Sequence, residues 1–372
     1  MLKVGITGQN GFVGSHLINT LGLFPDQFQT VSFARGYFDN SDQLDHFVSS
    51  CDVIIHLAAL NRHGDPDEIY SKNTGLVNKL VESLERTGSK PHVLISSSTQ
   101  ESMGNVYGDS KKHARESLAS WAERSKALFT GLIIPNVFGP FGEPNYNSFI
   151  ATFCHKIARN EKPSIHVDAE VELIYVNELV NTILELIRTK TSDPEFNIPF
   201  TSRAKVTSIL KLLNNFKDLY QEKGEIPSFN SKFELNLFNT FRCYMEIESY
   251  FPRKFTQHVD PRGAFVEIIR LGIGGQVSFS TTVPGITRGN HFHTRKIERF
   301  AVLKGKALIQ LRKIGTSEVF NFDLNGTEPS YVDMPIWYTH NIKNVGEEEL
   351  LTVFWINEHY DPKDPDTFFV EV

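Results

Sequence analysis

The chain has 372 residues, 40% of them hydrophobic and 22% charged, which excludes a disordered or fibrous protein and is too long for one ordinary core, so two domains are expected. A formal net charge of -6, with no basic tail and no basic-aromatic run, argues against a nucleic-acid partner. No apolar run is long enough to span a bilayer, Met1-Leu2-Lys3-Val4 runs straight into a strand pattern without a leader, and Cys51, Cys154 and Cys243 are scattered, so a cytoplasmic protein with reduced thiols is expected.

The first apolar run, 2–7, ends in Gly8-Gln9-Asn10-Gly11-Phe12-Val13-Gly14 and passes into a helical pattern over 15–23. Gly8, Gly11 and Gly14 are the candidates for a strand–turn–helix unit whose backbone approaches a pyrophosphate at the helix N-terminus. A second strand is expected over 30–34, closed by Arg35, where an acid would serve the ribose hydroxyls of NAD and an arginine accepts a 2'-phosphate; this favours NADPH. Asp39 is placed near the adenine, a helix over 42–50 follows, and 52–59 is an almost wholly apolar, fully covered strand. Asn73 falls on the next helix. The strand 93–99 then runs out into hydroxyls at its C-terminal end, the ligand-binding edge of an open parallel sheet, which makes Ser98 a candidate with Ser97 and Thr99 as alternates. Tyr107 and Lys111 stand one helical turn apart on one face. An ammonium there favours the phenolate and lowers a phenol that ordinarily titrates near ~10, so the pair can pass a proton to or from a carbinol oxygen. Alternating strands and helices imply an α/β, Rossmann-type doubly wound parallel sheet.

With Thr7-Gly8-xx-Gly11-xx-Gly14, His56-Leu57-Ala58-Ala59, the serines at 96–98, Tyr107-xxx-Lys111, Pro135-Asn136 and Leu173-Ile174-Tyr175-Val176-Asn177 in this order, the chain resembles the extended short-chain dehydrogenase/reductase family. The resemblance implies Tyr107 as proton donor or acceptor, Lys111 as the group that lowers its pKa and holds the nicotinamide ribose, Ser98 as the residue that positions a carbonyl, Asn73 in a proton relay, and Asn136 against a nucleotide-sugar substrate. Only eight residues separate Ser98 from Tyr107, fewer than that family commonly has, so the loop over the site is short. From 205 to 246 the pattern is helical and then mixed, and Phe200 just before it with Phe216, Phe229, Phe233, Phe238 and Phe241 within it read as core of a small substrate-side lobe. The first domain is therefore drawn as 1–245.

Beyond Pro252, short strands broken by glycine turns suggest an all-β sandwich or barrel, and the second domain is drawn as 246–372. His291 and His293 alternate on one strand and so share a face, Glu298 follows, and His340 comes from a later strand. Three imidazoles and a carboxylate can bind zinc, nickel, iron or manganese; zinc is the first choice. These strings resemble the two motifs of the cupin (jelly-roll) superfamily, with Trp337 where a glycine is common. Asp260-Pro261-Arg262-Gly263 and Arg288-Gly289-Asn290-His291 resemble the nucleotide-sugar 3,5-epimerases, which implies Arg262 and Arg288 as substrate contacts and leaves the proton-abstracting base open among Tyr338, Lys296 and His359.

A reductase followed by an epimerase-like cupin is similar to the bifunctional bacterial enzymes of capsule and O-antigen synthesis. That resemblance implies a UDP-linked 4-keto-6-deoxy N-acetylhexosamine as substrate, C3 epimerisation in the cupin, and NADPH-dependent reduction at C4 to UDP-N-acetyl-L-pneumosamine on the route to UDP-N-acetyl-L-fucosamine. Two other readings stand beside it: a plain 4-reductase or 4-epimerase with a structural cupin, and a non-enzymatic sensor of NADPH and nucleotide sugar. Both folds commonly pair through exposed strands or helices, so a homodimer is expected.

Overall fold

The structure, a computed structural model, describes residues 1–261 and 263–372, so Arg262 lies outside the described residues. The chain packs as two compact units, one of residues 1–152 and 167–206, the other of 153–166 and 207–372. No helix among the described residues is long and apolar enough to cross a membrane.

The strands of the first unit are β1 (Leu2–Thr7), β2 (Phe28–Val31), β3 (Val53–His56), β4 (His92–Ser98), β5 (Phe129–Ile134), β6 (Asn136–Phe138), β7 (Glu170–Tyr175), β8 (Asp193–Asn197) and β9 (Ser202–Lys205). Its helices are α1 (Phe12–Leu21), α2 (Ser41–Ser50), α3 (Pro66–Thr87), α4 (Val106–Ser125) and α6 (Val176–Arg188), with α5 (Phe149–Ala158) running from this unit into the other. Six strands form a parallel sheet in the order β2-β1-β3-β4-β5-β8, and β6, β7 and β9 form a small separate sheet. The order reverses between β1 and β3, which opens a crevice at their C-terminal ends.

Both faces of the sheet are covered, as the near-continuous apolar strands require. On one face Leu17 and Leu21 of α1 and Leu179, Ile183 and Ile187 of α6 pack against Val4, Ile6 and Ile55. On the other, Phe47 of α2, Leu80 of α3 and Leu118 and Trp121 of α4 pack against Ile54, Val93 and Ile95. The second strand ends sooner than the sequence suggests: β2 stops at Val31, and Arg35 opens a short 3-10 turn over Arg35–Asp39. Likewise β3 stops at His56, because Leu57 N still follows Thr7 O while the chain beyond it is held by side chains of other elements.

The second unit begins with helices, α7 (Val206–Phe216), continued by a π turn at Lys217–Glu222, α8 (Lys232–Arg242) and α9 (Ile247–Tyr250). The strands that follow are β10 (Arg253–Lys254), β11 (Gln257–Asp260), β12 (Gly263–Val266), β13 (Gln276–Thr282), β14 (Thr287–Phe292), β15 (Glu298–Lys304), β16 (Lys306–Lys313), β17 (Val319–Asn325), β18 (Ser330–Met334), β19 (Tyr338–Asn344), β20 (Leu350–Ile356) and β21 (Phe368–Phe369). They build two five-stranded antiparallel sheets, β10-β18-β15-β20-β13 and β17-β16-β19-β14-β21, with β11 and β12 as a separate hairpin. Glu298 of the first sheet meets His340 of the second, so the two sheets face each other across those side chains. This is the all-β cupin architecture that the alternating pattern suggests.

The helices at 207–250 precede the composition change beyond Pro252, yet they pack with the β sheets. Phe216, Phe229, Phe238 and Phe241 form one aromatic cluster of edge-to-face and tilted pairs, with centroids 5.1–6.5 Å apart. A buried ionic knot ties this layer to the strands. Arg299 donates to both oxygens of Asp333 at 2.7 and 2.9 Å and lies 3.7 Å over the Tyr331 ring, while Tyr220 donates its hydroxyl to Asp333 at 2.7 Å. Arg299 also donates to Gly224 O at 3.1 Å. Removing the carboxylate would strand a buried guanidinium, so Asp333→Ala is expected to cost about 3–5 kcal/mol of unfolding free energy, measured by denaturant titration. A loss below about 1 kcal/mol, the range of an exposed pair, would refute that role.

Candidate functional site

The crevice of the first unit is shaped by close backbone approaches. Gly8 adopts φ +78, and a Cβ there would sit 2.8 Å from Ala58 N. A Cβ on Gly14 would sit 2.3 Å from Gly8 O, and Gly11, which caps α1 without a side-chain acceptor, donates to Gly8 O at 3.0 Å. The turn therefore tolerates no side chain at Gly8 or Gly14, and it leaves the first N–H groups of α1 able to hold an anion. Arg35 is exposed at the start of its 3-10 turn, and Asp39, also exposed, is paired with Lys79 at 2.9 Å, which with its hydrogen bond holds the carboxyl below its ordinary range.

At the end of β4 the three serines do different things. Ser96 and Ser98 share a face of the strand and Ser97 points to the other. Ser97 donates to Glu101, which is gripped by both arms of buried Arg115 at 3.0 and 2.8 Å. Ser98 Oγ accepts from Gln100 N at 3.2 Å and so caps the 3-10 turn over Thr99–Ser102. Ser96 is the hydroxyl that meets Lys111: Nζ donates to Ser96 Oγ at 3.2 Å, and Ser96 donates on to His56 O at 3.4 Å. Sequence reasoning missed this serine's place; the period-two alternation along β4, which groups it with Ser98, was the available signal.

Asn105 starts α4 by accepting from Gly108 N at 2.9 Å, and a Cβ on Gly108 would fall 2.1 Å from Gln100 O, so the helix presses directly on the turn after β4. That contact fixes where Tyr107 and Lys111 stand. Lys111 is buried, and burial pushes its ammonium down to about 8 against the opposing charge of Glu101. Tyr107 is half-buried; burial, with Tyr146 adding to it, pushes its phenol up to about 12. The lowering expected from Lys111 is not what this structure has, because the ammonium is turned to Ser96 and loss of water dominates at the phenol. Asn73 is buried on α3: its Oδ1 accepts from Leu60 N at 2.7 Å, and its Nδ2 donates to Leu60 O at 3.1 Å and to Ser110 Oγ at 3.0 Å. Ser110 donates to Tyr107 O at 2.7 Å, so Asn73 braces both the chain after β3 and the first turn of α4. His56 pairs with Thr7 Oγ1 at 2.8 Å and is held neutral, down to about 3, by burial and by Lys111. Asn136 is exposed on β6 and donates to Glu172 O at 3.3 Å.

In the second unit the predicted ligands come together. One ligand atom from each of His291, His293, Glu298 and His340 lies within 4.8 Å of the others, the last three buried. A bulge between Gly289 and His291 in β14 sets His291 opposite His340, their rings 4.5 Å apart. His293 Nδ1 faces Asp366 O at 2.5 Å, which assigns its proton and leaves Nε2 aimed at Glu298 Oε2, 3.3 Å away. His340 Nε2 is buried without a well-directed hydrogen bond, although Glu298 Oε2 is 3.1 Å from it. Burial works against the Glu298 charge, but His293 and His340 outweigh it and hold the carboxyl well below the usual range. His291 is pushed down to about 4 by burial first and then by His340. An ionised carboxylate among ring nitrogens, one of them without a well-directed hydrogen bond, is a donor set that a divalent cation satisfies.

Asp366 is the residue of this centre that sequence reasoning missed. Its carboxylate accepts from Thr294 N, Thr294 Oγ1, Arg295 N and Lys296 N at 2.6–3.2 Å, which locks the turn after His293. Trp337 takes φ +63, a left-handed conformation that glycine favours; its backbone N–H donates to His293 O at 2.8 Å. Arg288 is exposed on β14 opposite Ile342. Of the three candidate bases, Lys296 is buried and donates to Pro365 O at 2.8 Å, Tyr338 is buried with its phenol pushed up by burial and then by Cys243, and His359 is exposed.

Residues 4–198 match the model of the NAD dependent epimerase/dehydratase family, and residues 258–368 that of the polysaccharide biosynthesis C-terminal domain. The chain is 33% identical to a UDP-2-acetamido-2,6-beta-L-arabino-hexul-4-ose reductase of Pseudomonas aeruginosa, over 100% of this chain and 99% of that protein. It is similar to the crystal structure of the capsular polysaccharide assembling protein CapF from Staphylococcus aureus, at 34% identity over 100% of both chains and a TM-score of 0.64. The structure of RMD from Pseudomonas aeruginosa complexed with NADPH shares the fold over 59% of this chain and 83% of its own, with 19% identity and a TM-score of 0.53.

Two outcomes follow from the geometry. Asp366→Ala frees the turn that orients His293, so Zn2+ affinity, read by competition with a chromophoric chelator, is expected to fall about 10- to 100-fold; unchanged affinity would contradict the anchoring. Lys111 has its folded pKa depressed to about 8 from an ordinary 10.5. The folded state therefore binds fewer protons than the unfolded state between those values, and this group's contribution to stability rises with pH across that window. Lys111→Met is expected to stabilise the chain at pH 7 and to flatten the stability profile from pH 8 to 10.5; a slope identical to that of the parent would show that Lys111 does not carry it.

Proposed function

This chain belongs to the NAD dependent epimerase/dehydratase family, and from that footing we propose that it is a bifunctional nucleotide-sugar enzyme. Its second unit inverts C3 of a UDP-2-acetamido-2,6-dideoxy-4-hexulose, and its first unit then reduces the C4 ketone with NADPH to UDP-N-acetyl-L-pneumosamine, towards UDP-N-acetyl-L-fucosamine. The observation that carries the reading is that one chain, similar along its full length to a reductase of such a 4-hexulose, brings Lys111 to the serines at the end of β4 in one unit and groups His291, His293, Glu298 and His340 in the other. When bound, NADPH would supply the hydride and a divalent ion, zinc first, would polarise the ketone.

The chain's own groups do the rest. Tyr107, held protonated by burial, gives its proton to the C4 oxygen as the carbinol forms. Lys111, fixed through Ser96, holds the nicotinamide ribose, and with Asn73 bracing α4 the first turn holds its place. Ser98 at the strand end positions the ketone. Gly8, Gly11 and Gly14 admit the pyrophosphate, and exposed Arg35 is free to meet a 2'-phosphate while Asp39 is engaged by Lys79. His291, His293, Glu298 and His340 would hold the ion, with Arg288 and Arg262 on the UDP-sugar and Asn136 on the same substrate at the reductase site. The order follows from chemistry: the ketone that acidifies the C3 hydrogen is gone after reduction. A homodimer in the cytoplasm completes the proposal. The second reading, a 4-reductase with a structural ion in its cupin, is favoured by the Pseudomonas relative's name, which mentions reduction alone.

An NMR time course in deuterated water separates these. The 4-hexulose alone is expected to gain deuterium at C3, and added NADPH to be oxidised as a talo product forms. In Tyr107→Phe the exchange should persist while NADPH oxidation falls about 10^2- to 10^4-fold. NADPH oxidation without C3 exchange would leave the second reading; neither signal would end the proposal.

A further inference from the structure

The end of the chain lies against the four-ligand centre. β21 pairs antiparallel with the edge strand β14, with Phe369 opposite His291 and Phe368 opposite Phe292. Directly opposed residues of an antiparallel pair project from the same face. Phe368 stacks on Phe292 at 5.3 Å, and Phe292 stacks on Trp337 at 5.5 Å, so that face is closed by aromatic packing. Phe369 consequently shares the other face, the one on which His291 meets His293 and His340. There it is 74% exposed, next to the only one of the four ligands that is not fully buried.

Its position is not a frayed end. Val370 N donates to Asn290 O at 3.0 Å, Thr339 donates its hydroxyl to Val370 O, and Arg312 donates to Glu371 O. Upstream, Asp366 binds the turn that follows His293. An aromatic residue whose backbone is held on both sides while its ring is left uncovered beside a polar centre is an unspent apolar contact surface.

We propose that Phe369 is a substrate-binding residue of the second unit, an apolar wall that takes the C–H and methyl edge of a 6-deoxy sugar while the polar groups of the centre face its ketone. This rests on the reading of that unit as a sugar epimerase. A ring offers such an edge dispersion contact without demanding a hydrogen bond, and it disfavours a sugar that carries a hydroxyl at C6.

The test is C3 deuterium exchange of the UDP-linked 4-hexulose by the zinc-loaded full chain, as wild type, Phe369→Ala and Phe369→Tyr. In Phe369→Ala, KM is expected to rise roughly 2- to 13-fold, the worth of one aromatic contact, with kcat and zinc content at wild-type values, and Phe369→Tyr to restore KM. Wild-type KM in Phe369→Ala overturns the assignment, as does a zinc loss that Phe369→Tyr does not reverse, since that marks a structural role. No exchange by the wild type removes the epimerase reading and this proposal with it, an outcome distinct from the other two.

Discussion

The second unit depends on a charge pair that has no access to water. Arg299 and Asp333 are both fully buried, and a pair in that position is tolerated only when every remaining valence is engaged. Here Tyr220 takes one carboxylate oxygen, Gly224 O takes a guanidinium arm, and the Tyr331 ring covers the cation. Those partners come from the π turn after α7, the following loop and β18, so the helical layer and the β sheet are conditions of each other's stability. The strand that carries Arg299 also carries Glu298 at its first position. The ionic knot and the ligand centre therefore share one strand, facing outward and inward in turn.

In the first unit the governing constraint is steric rather than electrostatic. Gly8, Gly14 and Gly108 each stand where backbone approaches backbone too closely for a Cβ. Together they draw the turn after β1, the chain after β3 and the first turn of α4 to the same edge of the sheet. Side chains then do finer work. Asn73 ties α3 to α4 through Ser110, and Arg115 ties α4 to the turn after β4 through Glu101. Tyr107 and Lys111 stand on an element that is over-determined by such contacts, which is what holding a geometry to a fraction of an ångström requires.

What was legible in the sequence was whatever is local or periodic. The glycine spacing after β1 translates directly into a tight turn, and the four-residue step from Tyr107 to Lys111 and the alternation of His291 and His293 into shared faces, and the structure keeps them. Long-range pairings were not legible. Asp366 reaches His293 across 73 positions, and no pattern within either segment announces the other. The helices at 207–250 look by composition like the end of the first domain, but the partner of Tyr220 lies 113 positions away in β18. Electrostatics were the third gap. A lysine one turn from a tyrosine suggests a lowered phenol, whereas burial of the ring and the turn of Lys111 towards Ser96 set the balance the other way. Such competition depends on how much water each group loses, and that is a property of the packed molecule alone.

Trp337 shows how a departure from a family pattern can be stable in its own right. A left-handed backbone costs a side-chain-bearing residue about 1–2 kcal/mol, and an aromatic stack returns about 0.5–1.5 kcal/mol. Trp337 carries both, the conformation and the stack on Phe292. Glycine at this point would be free of the first and deprived of the second; an intermediate residue would bear the cost with no return. The position thus has two separated optima with a valley between them.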